Sequence, residues 1–317
     1  MYYLGVDGGG TKTLAIMTDL TGHYFRKVLR GPGNMSLLDR GSAAHLLHDL
    51  MDDLLDGQDP ALITQATLAF AGIGRARERA ALGQILAGTR LQNFSLMTDA
   101  DIQYEAVFGK GRGMLLSAGT GSICLVKDPR GALRQFGGRG YLLGDEGSGY
   151  HMGNLAIRTA LEHLSEGLRE SDLTRQILSF YGLQDREELI SFVYSTRHPQ
   201  RMIASCAMIV MKAAENGFPD AREIVDQAAE KLELLFRRGA KLFGNGEEVP
   251  LCLSGGVLKG QSPLRRNLEN RLKRVPHPIR PVPQELNSAA AAVIHAIESS
   301  GEKVSSALKE RLLLVNI

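Results

Sequence analysis

The stretch that decides the fold lies at the start of the chain, where residues 5–13 read Gly-Val-Asp-Gly-Gly-Gly-Thr-Lys-Thr. An apolar run, Tyr2 to Val6, precedes this glycine turn and a second, Thr13 to Thr18, follows it, so the pattern predicts two strands joined by a tight turn. The glycines let backbone amides approach an anion closely. The turn is therefore typical of a phosphate-binding loop, and Asp7 can hold the waters of a Mg²⁺ ion.

Other interpretations of this turn stay open. A plain glycine-rich hairpin has the same composition, and Lys12 can either contact a phosphate or stand in solvent. The chain contains neither the G-x-x-x-x-G-K-[ST] pattern of a Walker A loop nor a G-x-G-x-x-G fingerprint. The common nucleotide-binding folds that carry those motifs are therefore disfavoured.

The same order of features returns about a third of the way along the chain. Met114 to Ser117 is apolar, residues 118–122 read Ala-Gly-Thr-Gly-Ser, and Ile123 to Val126 is apolar again. A single constant offset places Gly10-Thr11 on Gly119-Thr120 and Gly22 on Gly131. The repeat predicts two similar domains, with a ligand in the cleft between them.

The predicted domain limits follow from this duplication. We expect an N-terminal α/β domain over 1–112, a C-terminal α/β domain over 113–284, and a C-terminal helix within 285–317 that can pack back on the first domain. Glycines at 109–113 mark the boundary. The first half predicts, in order, a helix at 36–55, a strand at 66–71, a helix at 75–87, a strand at 94–98 and a helix from Asp101.

The composition is that of an ordinary globular chain. Its 317 residues are 44% hydrophobic, and 37 Lys and Arg against 35 Asp and Glu leave a formal charge of +2. This balance gives no reason to expect nucleic acid or a membrane surface as a partner, so we expect a small molecule. Three cysteines without a C-x-x-C spacing exclude a disulfide framework. No signal peptide or spanning apolar run is recognisable, which predicts a cytoplasmic protein.

Three further segments place polar groups where α/β folds bind ligands. Asp99 follows the apolar run Phe94 to Met97, so its carboxylate lies at the end of a strand and can accept a hydroxyl proton. Residues 144–149 put two acids before a helix, and Leu251 to Gly256 ends a strand in a glycine pair that a flat adenosine can approach. Each segment has a plainer alternative, since Asp99 or Asp101 can cap a helix and a strand followed by glycine is common.

Five motifs in this order resemble those of the N-acetylglucosamine kinase family: GVDGGGTKT (5–13), TDAD (98–101), SAGTGS (117–122), GDEGSG (144–149) and LSGGV (253–257). That family belongs to the superfamily of sugar kinases, actin and heat-shock chaperone ATPases, and is related to the activator ATPases of 2-hydroxyacyl-CoA dehydratase and benzoyl-CoA reductase. The resemblance implies an α/β chain with two ribonuclease-H-like domains, the duplicated actin-like ATPase fold, around a nucleotide and sugar cleft.

The resemblance also implies a reaction and the residues for it. ATP and Mg²⁺ would be the cofactors, and the γ-phosphoryl group would pass to a hydroxyl group, the 6-hydroxyl, of an amino sugar such as N-acetylglucosamine. Asp99 matches the general base, and Asp7 matches the residue that organises Mg²⁺. The implied nucleotide-binding positions are Gly8, Gly9, Gly10, Thr11, Lys12, Gly119, Thr120, Gly121, Ser122, Gly255 and Gly256, and the sugar-binding positions are Asn34, Gly72, Asp99, Thr120 and Asp145. Whether the protein forms a homodimer stays open.

Two departures from the family pattern bear on the substrate. Better-known members carry a tryptophan soon after the position of Asn34 and another in the segment that matches residues 138–140. This chain has Met35, Ser36 and Arg139 there and contains no tryptophan. An arginine near the sugar can pair with a carboxylate, which would favour a muramic acid derivative over a neutral sugar.

Functions other than an N-acetylglucosamine kinase stay open at this point. An activator ATPase would need cysteines that hold an iron–sulfur cluster, but Cys124 and Cys252 fall in predicted strands and Cys206 in a predicted helix. An ATP-dependent sensor would need the phosphate loops without a base such as Asp99. Glucosamine and N-acetylmuramic acid are alternative acceptors for a kinase.

Overall fold

Two five-stranded mixed sheets, one in each of two structural units, form the framework of the protein. The computed structural model describes residues 1–89, 91–167 and 172–315. The first unit combines Met1–Gly111 with Gln284–Ile317, and the second is Arg112–Pro283. The C-terminal segment therefore belongs to the unit in which the chain begins.

Strands and helices alternate in the first unit, whereas a run of helices separates the strands of the second. The strands are β1 (Tyr2–Gly8), β2 (Thr13–Thr18), β3 (Phe25–Arg30), β4 (Ile63–Phe70), β5 (Phe94–Thr98), β6 (Met114–Ala118), β7 (Ser122–Lys127), β8 (Leu133–Gly137), β9 (Val249–Ser254) and β10 (Ile279–Pro281). The helices are α1 (Arg40–Leu55), α2 (Ala76–Leu86), α3 (Asp99–Phe108), α4 (Gly149–Ser165), α5 (Asp172–Tyr181), α6 (Arg186–Ser195), α7 (Pro199–Ser205), α8 (Ala207–Glu215), α9 (Pro219–Ala240), α10 (Pro263–Leu272), α11 (Ser288–Ser299) and α12 (Ser306–Leu313). Single 3₁₀ turns lie at Pro60–Leu62 and Gly256–Leu258.

Both sheets have the same strand order, which confirms the predicted duplication and the α/β fold class. The order is β3-β2-β1-β4-β5 in the first sheet and β8-β7-β6-β9-β10 in the second. In each unit the first three strands pair antiparallel in sequence, and the last two run parallel to the first. The nucleotide and sugar cleft stays a prediction.

The turn after the second strand of each sheet is duplicated in detail. The Gly22 amide donates to the Asp19 carbonyl over 3.3 Å, and the Gly131 amide donates to the Asp128 carbonyl over 2.9 Å. Both glycines are in the left-handed region, with φ of +77° and +82°. The constant offset seen in the sequence therefore holds for the residues that follow the glycine loops, through β2 and β7 and the turns after them.

The two glycine loops differ slightly in length. The register pairs Gly8 with Thr13 across the first loop and Ala118 with Ser122 across the second. The first loop thus comprises residues 9–12, and the shorter second loop comprises residues 119–121. Gly8 therefore aligns with Ala118 before the loops, and Thr13 aligns with Ser122 after them. The difference in residue number between aligned positions is larger by one before the loops than after them.

The first sheet is buried on both faces, as the alternation of side chains along β1 requires. Leu4 and Val6 join an apolar cluster with α1 and α2, whereas Tyr3 joins another with α11 and α12. In the second unit, a single large cluster contains residues of β6, β7, β9 and helices α4 to α10. Within the described ranges, every helix is too short or too polar to cross a membrane.

Several predicted elements need correction. The helix expected from residue 36 begins at Arg40, because Asp39 caps it by accepting a hydrogen bond from the Ser42 amide. The helix expected from Asp101 begins at Asp99. Strands β3, β8 and β10 have no predicted counterpart, since edge strands with half-exposed residues carry a weak pattern. Cys206, expected within a helix, lies at the junction of α7 and α8.

The contact between β1 and α11 leaves no room for a side chain at residue 5. A Cβ atom on Gly5 would stand 2.4 Å from the Ala289 carbonyl oxygen and 2.4 Å from the Val293 amide nitrogen. Both are backbone atoms of α11 and cannot move aside without moving the helix. The glycine is thus a condition for docking α11 on the sheet.

Gly5→Ala is expected to lower the free energy of unfolding by about 3 kcal/mol, because the added methyl group has no space against α11. Urea unfolding followed by circular dichroism measures the loss. Gly83→Ala in α2 is the matched control, since an added Cβ meets nothing within 4 Å there, and its stability should stay the same or rise. Equal unfolding midpoints for Gly5→Ala and the wild type would contradict the tight contact.

Candidate active site

Three predicted site residues that are far apart in sequence lie at one edge of the first sheet. The register places the ends of β1, β4 and β5 side by side. Asp7 lies near the end of β1, Gly72 follows β4, and Asp99 directly follows β5. The carboxyl ends of parallel strands are where α/β folds bind their ligands, so this edge is the candidate site of the first unit.

The loop of residues 9–12 at this edge presents unused backbone donors. The Gly9 amide donates to the Lys12 carbonyl over 2.9 Å, and the Gly33 amide donates to the Gly9 carbonyl over 2.9 Å. The amides of Gly10, Thr11 and Lys12 have no hydrogen-bond acceptor among the described residues. A Cβ on Gly10 would meet nothing within 4 Å, so the loop is open to a ligand. These features fit a phosphate group.

The surroundings of Asp7 strongly disfavour the charged form of its carboxyl group. Burial, and next the negative charge of Asp99, raise the pKa of the Asp7 carboxyl group from its ordinary value of 3.8 to about 7. The charge of Lys12 and a hydrogen bond from Ser288 act in the opposite direction. The two predicted carboxylates are therefore close enough to repel each other, and the Lys12 ammonium is close enough to offset part of that repulsion.

This environment fits a Mg²⁺ ion bound with a polyphosphate. Mg²⁺ is usually held by one or two carboxylates, with phosphate oxygens and waters completing its octahedron. The parts of the chain that the structure describes contain no group of three or more His, Cys, Asp or Glu side chains arranged to hold a metal ion. Asp7 would thus supply a single anchor, and a divalent cation beside it would relieve the repulsion from Asp99.

Asp99 is not the residue that caps α3. The cap is Thr98, whose hydroxyl accepts from the Asp101 amide over 3.0 Å, while the Asp101 carboxylate accepts from the Thr98 amide over 3.1 Å. Asp99 is therefore not the cap, and Asp101 takes part in capping as the partner of Thr98 in the capping box. Burial raises the pKa of the Asp99 carboxyl group, against hydrogen bonds from its own amide and that of Ala100. A carboxylate free of the cap and raised in pKa is a competent proton acceptor.

Asn34 and Gly72 lie against each other at the same edge. The Met35 amide donates to the Ala71 carbonyl over 2.9 Å, and a Cβ on Gly72 would stand 2.4 Å from the Asn34 side-chain oxygen. That oxygen accepts from the Ser36 amide and hydroxyl, at 3.1 and 2.8 Å. If Asn34 binds a sugar, it therefore does so mainly through its amide nitrogen, which has no acceptor among the described side chains and backbone groups.

The predicted nucleotide-binding glycines of the second unit lie together at the edge of its own sheet. A Cβ on Gly255 would stand 2.1 Å from the Ala118 carbonyl oxygen, and Gly255 has a φ of +95°. A Cβ on Gly119 would lie 3.8 Å from the Gly256 amide nitrogen. The loops after β6 and β9 are therefore in contact, and only glycine permits the approach at residue 255.

The loop of residues 119–121 is held in place by α4 and by Asp145. The first amides of α4, Gly149 and Tyr150, donate to the carbonyls of Gly119 and Thr120 over 2.8 and 3.1 Å. The Asp145 carboxylate, 5% exposed, accepts from the Ser122 amide over 3.4 Å. Asp145 also has a strained φ of +62°. One carboxylate oxygen of Asp145 thus holds the loop through Ser122. In the predicted sugar-binding role, the other oxygen would have to make the main contact with the sugar.

Two polar side chains at the candidate sites were not predicted from sequence patterns. Ser288, whose hydroxyl lowers the pKa of Asp7, lies near the opposite end of the chain. His151, in the first turn of α4, has a ring Nδ1 that is buried without a hydrogen-bond partner among the described atoms, and burial lowers its pKa. The Asn287-Ser288 pair before an alanine run signals a helix start, but such a signal does not show which strand the helix meets.

Comparison with known proteins decides the family. A model of the BadF/BadG/BcrA/BcrD ATPase family matches residues 4–296. The chain belongs to this family. Membership confirms the resemblance read from the five motifs, and the use of ATP follows from it.

Proteins similar to this chain include some that are named as amino-sugar kinases. The N-acetylmuramic acid/N-acetylglucosamine kinase of Clostridium acetobutylicum is 27% identical over 299 residues, which are 93% of this chain and 98% of the relative. The N-acetyl-D-glucosamine kinase of Dictyostelium discoideum is 26% identical over 286 residues, 85% of this chain and 89% of the relative. A crystal structure from Chromobacterium violaceum, provisionally named an N-acetylglucosamine kinase, matches with a TM-score of 0.73 and 25% identity over 92% of this chain and 97% of that one.

Asp7→Asn is expected to raise the melting temperature at pH 8 by about 5 °C and to leave it unchanged near pH 4. The folded protein keeps the Asp7 proton up to about pH 7, whereas an unfolded chain loses it near pH 3.8. The contribution of this carboxyl group to stability therefore falls as the pH rises through that window. Calorimetric melting temperatures between pH 4 and pH 8 measure the effect.

Asp49→Asn is the control for this pH series, because Asp49 is an exposed residue of α1. The melting temperature of Asp49→Asn should equal that of the wild type at every pH. A gap between Asp7→Asn and the wild type that is the same at pH 4 and pH 8 would contradict the raised pKa of Asp7.

Proposed function

We propose that this member of the ATPase family is an amino-sugar kinase that transfers the γ-phosphoryl group of Mg·ATP to the 6-hydroxyl group of N-acetylglucosamine or a close analogue. The observation that carries the proposal is the half-buried Asp99 carboxylate, which is not the N-cap of α3 and lies at the same sheet edge as Asp7 and the open glycine loop. The names of the Clostridium and Dictyostelium relatives support it.

The chemistry needs little beyond positioning and charge neutralisation. The free amides of Gly10, Thr11 and Lys12 would hold phosphate oxygens, and Asp7 would anchor Mg²⁺, which when bound neutralises charge on the phosphates. The sugar oxygen forms a new bond to the γ-phosphorus as the bond from that phosphorus to ADP breaks. Asp99 accepts the hydroxyl proton, so protons and charge balance.

The geometry described for each unit supports the remaining proposed roles. Asn34 would direct its amide nitrogen at the sugar beside Gly72. In the second unit, the loop of residues 119–121 together with Ser122 would bind phosphate, and the Gly255-Gly256 turn against it would accept the adenosine. Thr120 is exposed at the tip of its loop and is available to the sugar or the nucleotide.

The cysteines weigh against an activator ATPase. Cys124, Cys206 and Cys252 are each fully buried, and burial raises their thiol pKa values to about 12, 12 and 11. Holding an iron–sulfur cluster at a surface would require exposed thiolates. A brown colour in the purified protein would favour that function over the kinase.

A second candidate substrate has its own support. Arg139 is exposed and has no ion-pair partner among the described residues, and its Cβ lies 3.3 Å from the position of a Cβ on Gly144, next to Asp145. If Asp145 contacts the sugar, this guanidinium can pair with a carboxylate on it. The Clostridium relative is named for N-acetylmuramic acid as well as N-acetylglucosamine, and the muramic sugar carries such a carboxylate.

The purified protein is expected to release ADP from Mg·ATP when one amino sugar is added, and Asp99→Asn should lower kcat by about a hundredfold or more because the proton acceptor is lost. A coupled ADP assay over N-acetylglucosamine, glucosamine, N-acetylmannosamine, N-acetylmuramic acid, glucose and no sugar measures both. Asp101→Asn is the control, since losing its part of the capping box should reduce stability rather than kcat. ATP binding without turnover on any sugar would contradict the kinase and favour a sensor.

Arg139→Ala is expected to reduce kcat/KM for N-acetylmuramic acid by about tenfold while leaving that for N-acetylglucosamine within about twofold, because only the first sugar offers a carboxylate. The same coupled assay measures the two values. Arg130→Ala, an exposed arginine in a turn of the same unit, is the control. Equal losses for both sugars, or none, would contradict a role for Arg139 in recognising the carboxylate.

A further inference from the structure

We propose that Ser36 is a positioning residue for the side chain of Asn34. By donating to the Asn34 side-chain oxygen, Ser36 would keep the Asn34 amide nitrogen turned toward the substrate, so that Asn34 recognises a hydrogen-bond acceptor, an oxygen atom of the sugar. The inference deepens the proposed function and rests on it in one respect, that a sugar binds beside Asn34.

The first observation is the pair of hydrogen bonds that fixes the Asn34 side-chain amide. Its oxygen accepts from the Ser36 backbone amide over 3.1 Å and from the Ser36 hydroxyl over 2.8 Å. Because a backbone amide only donates, the Asn34 atom that faces it must be the oxygen and not the nitrogen. The hydroxyl adds a second donor to the same oxygen, and the two donors together oppose a flip of the amide.

The second observation is that Gly72 closes the space beside the Asn34 oxygen. A Cβ on Gly72 would stand 2.4 Å from Asn34 Oδ1, 2.6 Å from the Ser36 amide nitrogen and 2.9 Å from the Ser36 Cβ. A substrate atom therefore has no room between Gly72 and this oxygen. The Asn34 nitrogen, in contrast, has no acceptor among the described side chains and backbone groups, so both of its N–H groups are available to a ligand.

The third observation is that the backbone on both sides of Asn34 is tied to neighbouring loops. The Gly33 amide donates to the Gly9 carbonyl and the Met35 amide donates to the Ala71 carbonyl, both over 2.9 Å. With its backbone held in this way, Asn34 keeps only the freedom of its side-chain torsions. A restraint from Ser36 on these torsions lowers the entropy that sugar binding would otherwise cost.

Two other roles of Ser36 have to be separated from positioning. Ser36 is exposed, so one alternative is a direct contact of its hydroxyl with the sugar. A direct contact would persist without the Asn34 side chain, whereas a positioning effect would vanish with it. The other alternative is support of the loop alone, which would lower the melting temperature and leave the sugar affinity unchanged.

The experiment is a double-mutant cycle in which isothermal titration calorimetry measures binding of N-acetylglucosamine and, separately, of N-acetylmuramic acid to the purified protein. Ser36→Ala is expected to weaken binding of the preferred sugar by about fivefold, the typical effect of losing one neutral hydrogen bond. Ser36→Thr keeps the hydroxyl and should bind within about twofold of the wild type. In an Asn34→Ala background, Ser36→Ala should change the affinity by less than about twofold.

Thr21→Ala is the matched control. The Thr21 amide and hydroxyl donate to the Asp19 side chain over 3.1 and 2.9 Å, the same pair of bonds in the turn after β2. This variant should bind the sugar as the wild type does. Melting temperatures of all variants establish that each is folded.

Steady-state kinetics give a second measurement, which also serves where Asn34→Ala binds too weakly for calorimetry. Ser36→Ala should raise the KM for the sugar by about the factor seen in binding, while kcat and the KM for ATP stay within about twofold. A folded Ser36→Ala protein with wild-type affinity, a Ser36→Thr protein as weak as Ser36→Ala, or an equal loss with and without the Asn34 side chain would overturn the inference.

Sugar analogues test the kind of group that Asn34 recognises. The panel contains the 1-, 3-, 4- and 6-deoxy analogues of N-acetylglucosamine, and glucosamine, which lacks the acetyl oxygen. An analogue without the oxygen that faces Asn34 should respond less to Ser36→Ala than the parent sugar does, because the positioned donor has lost its acceptor. An equal response of every analogue would overturn the recognition of a sugar oxygen.

Failure of this inference and failure of the proposed kinase are distinguishable. Sugar binding that depends on the Ser36 hydroxyl through Asn34, in a protein that phosphorylates no sugar, would support the inference and overturn the kinase. Sugar phosphorylation with an affinity indifferent to residue 36 would do the reverse. A wild-type protein that binds neither N-acetylglucosamine nor N-acetylmuramic acid would overturn the inference at its starting point.

Discussion

The close approach of α11 to β1 is the contact on which the rest of the first unit depends. It requires a residue without a side chain at position 5, where the helix backbone occupies the space that a Cβ would need. Through this contact the last segment of the chain covers the second face of the first sheet and brings Ser288 to Asp7. A looser contact would expose apolar residues of β1 and β2 to solvent.

Two acids held close together at one sheet edge are costly to the fold. Burial and mutual repulsion raise the pKa of Asp7, and burial raises that of Asp99. The offsetting groups are modest: the Lys12 charge, the Ser288 hydroxyl and the first amides of α3. A hydrophobic pair would be more stable at this edge. The roles proposed for Asp7 and Asp99 would give the protein a reason to keep two acids there.

The two sheets share a topology but differ in what their loops present. Aligning Gly8 with Ala118 places Ser117 at the position of Asp7, so the second sheet has no carboxylate at the end of its first strand. Its shorter loop is instead tied to α4 and to Asp145. The sheet edge of the first unit thus carries two acids and a loop with unpaired backbone amides. The sheet edge of the second unit carries glycines from two loops that touch each other. The same framework supports both because the loops lie outside the ladder of strand hydrogen bonds.

Local sequence signals are enough to predict the two hairpins, the strand at 94–98, the acid that follows it and the family, because turn residues, strand periodicity and ordered motifs need no tertiary context. The same signals do not predict the edge strands β3, β8 and β10, because the apolar and polar residues in these half-exposed strands do not alternate clearly. The three-dimensional structure decides two further points. Side-chain geometry within one turn of helix decides that Thr98 and Asp101 form the capping box of α3 while Asp99 does not. Tertiary packing decides that α11, near the opposite end of the chain, lies against β1, which local preferences do not encode.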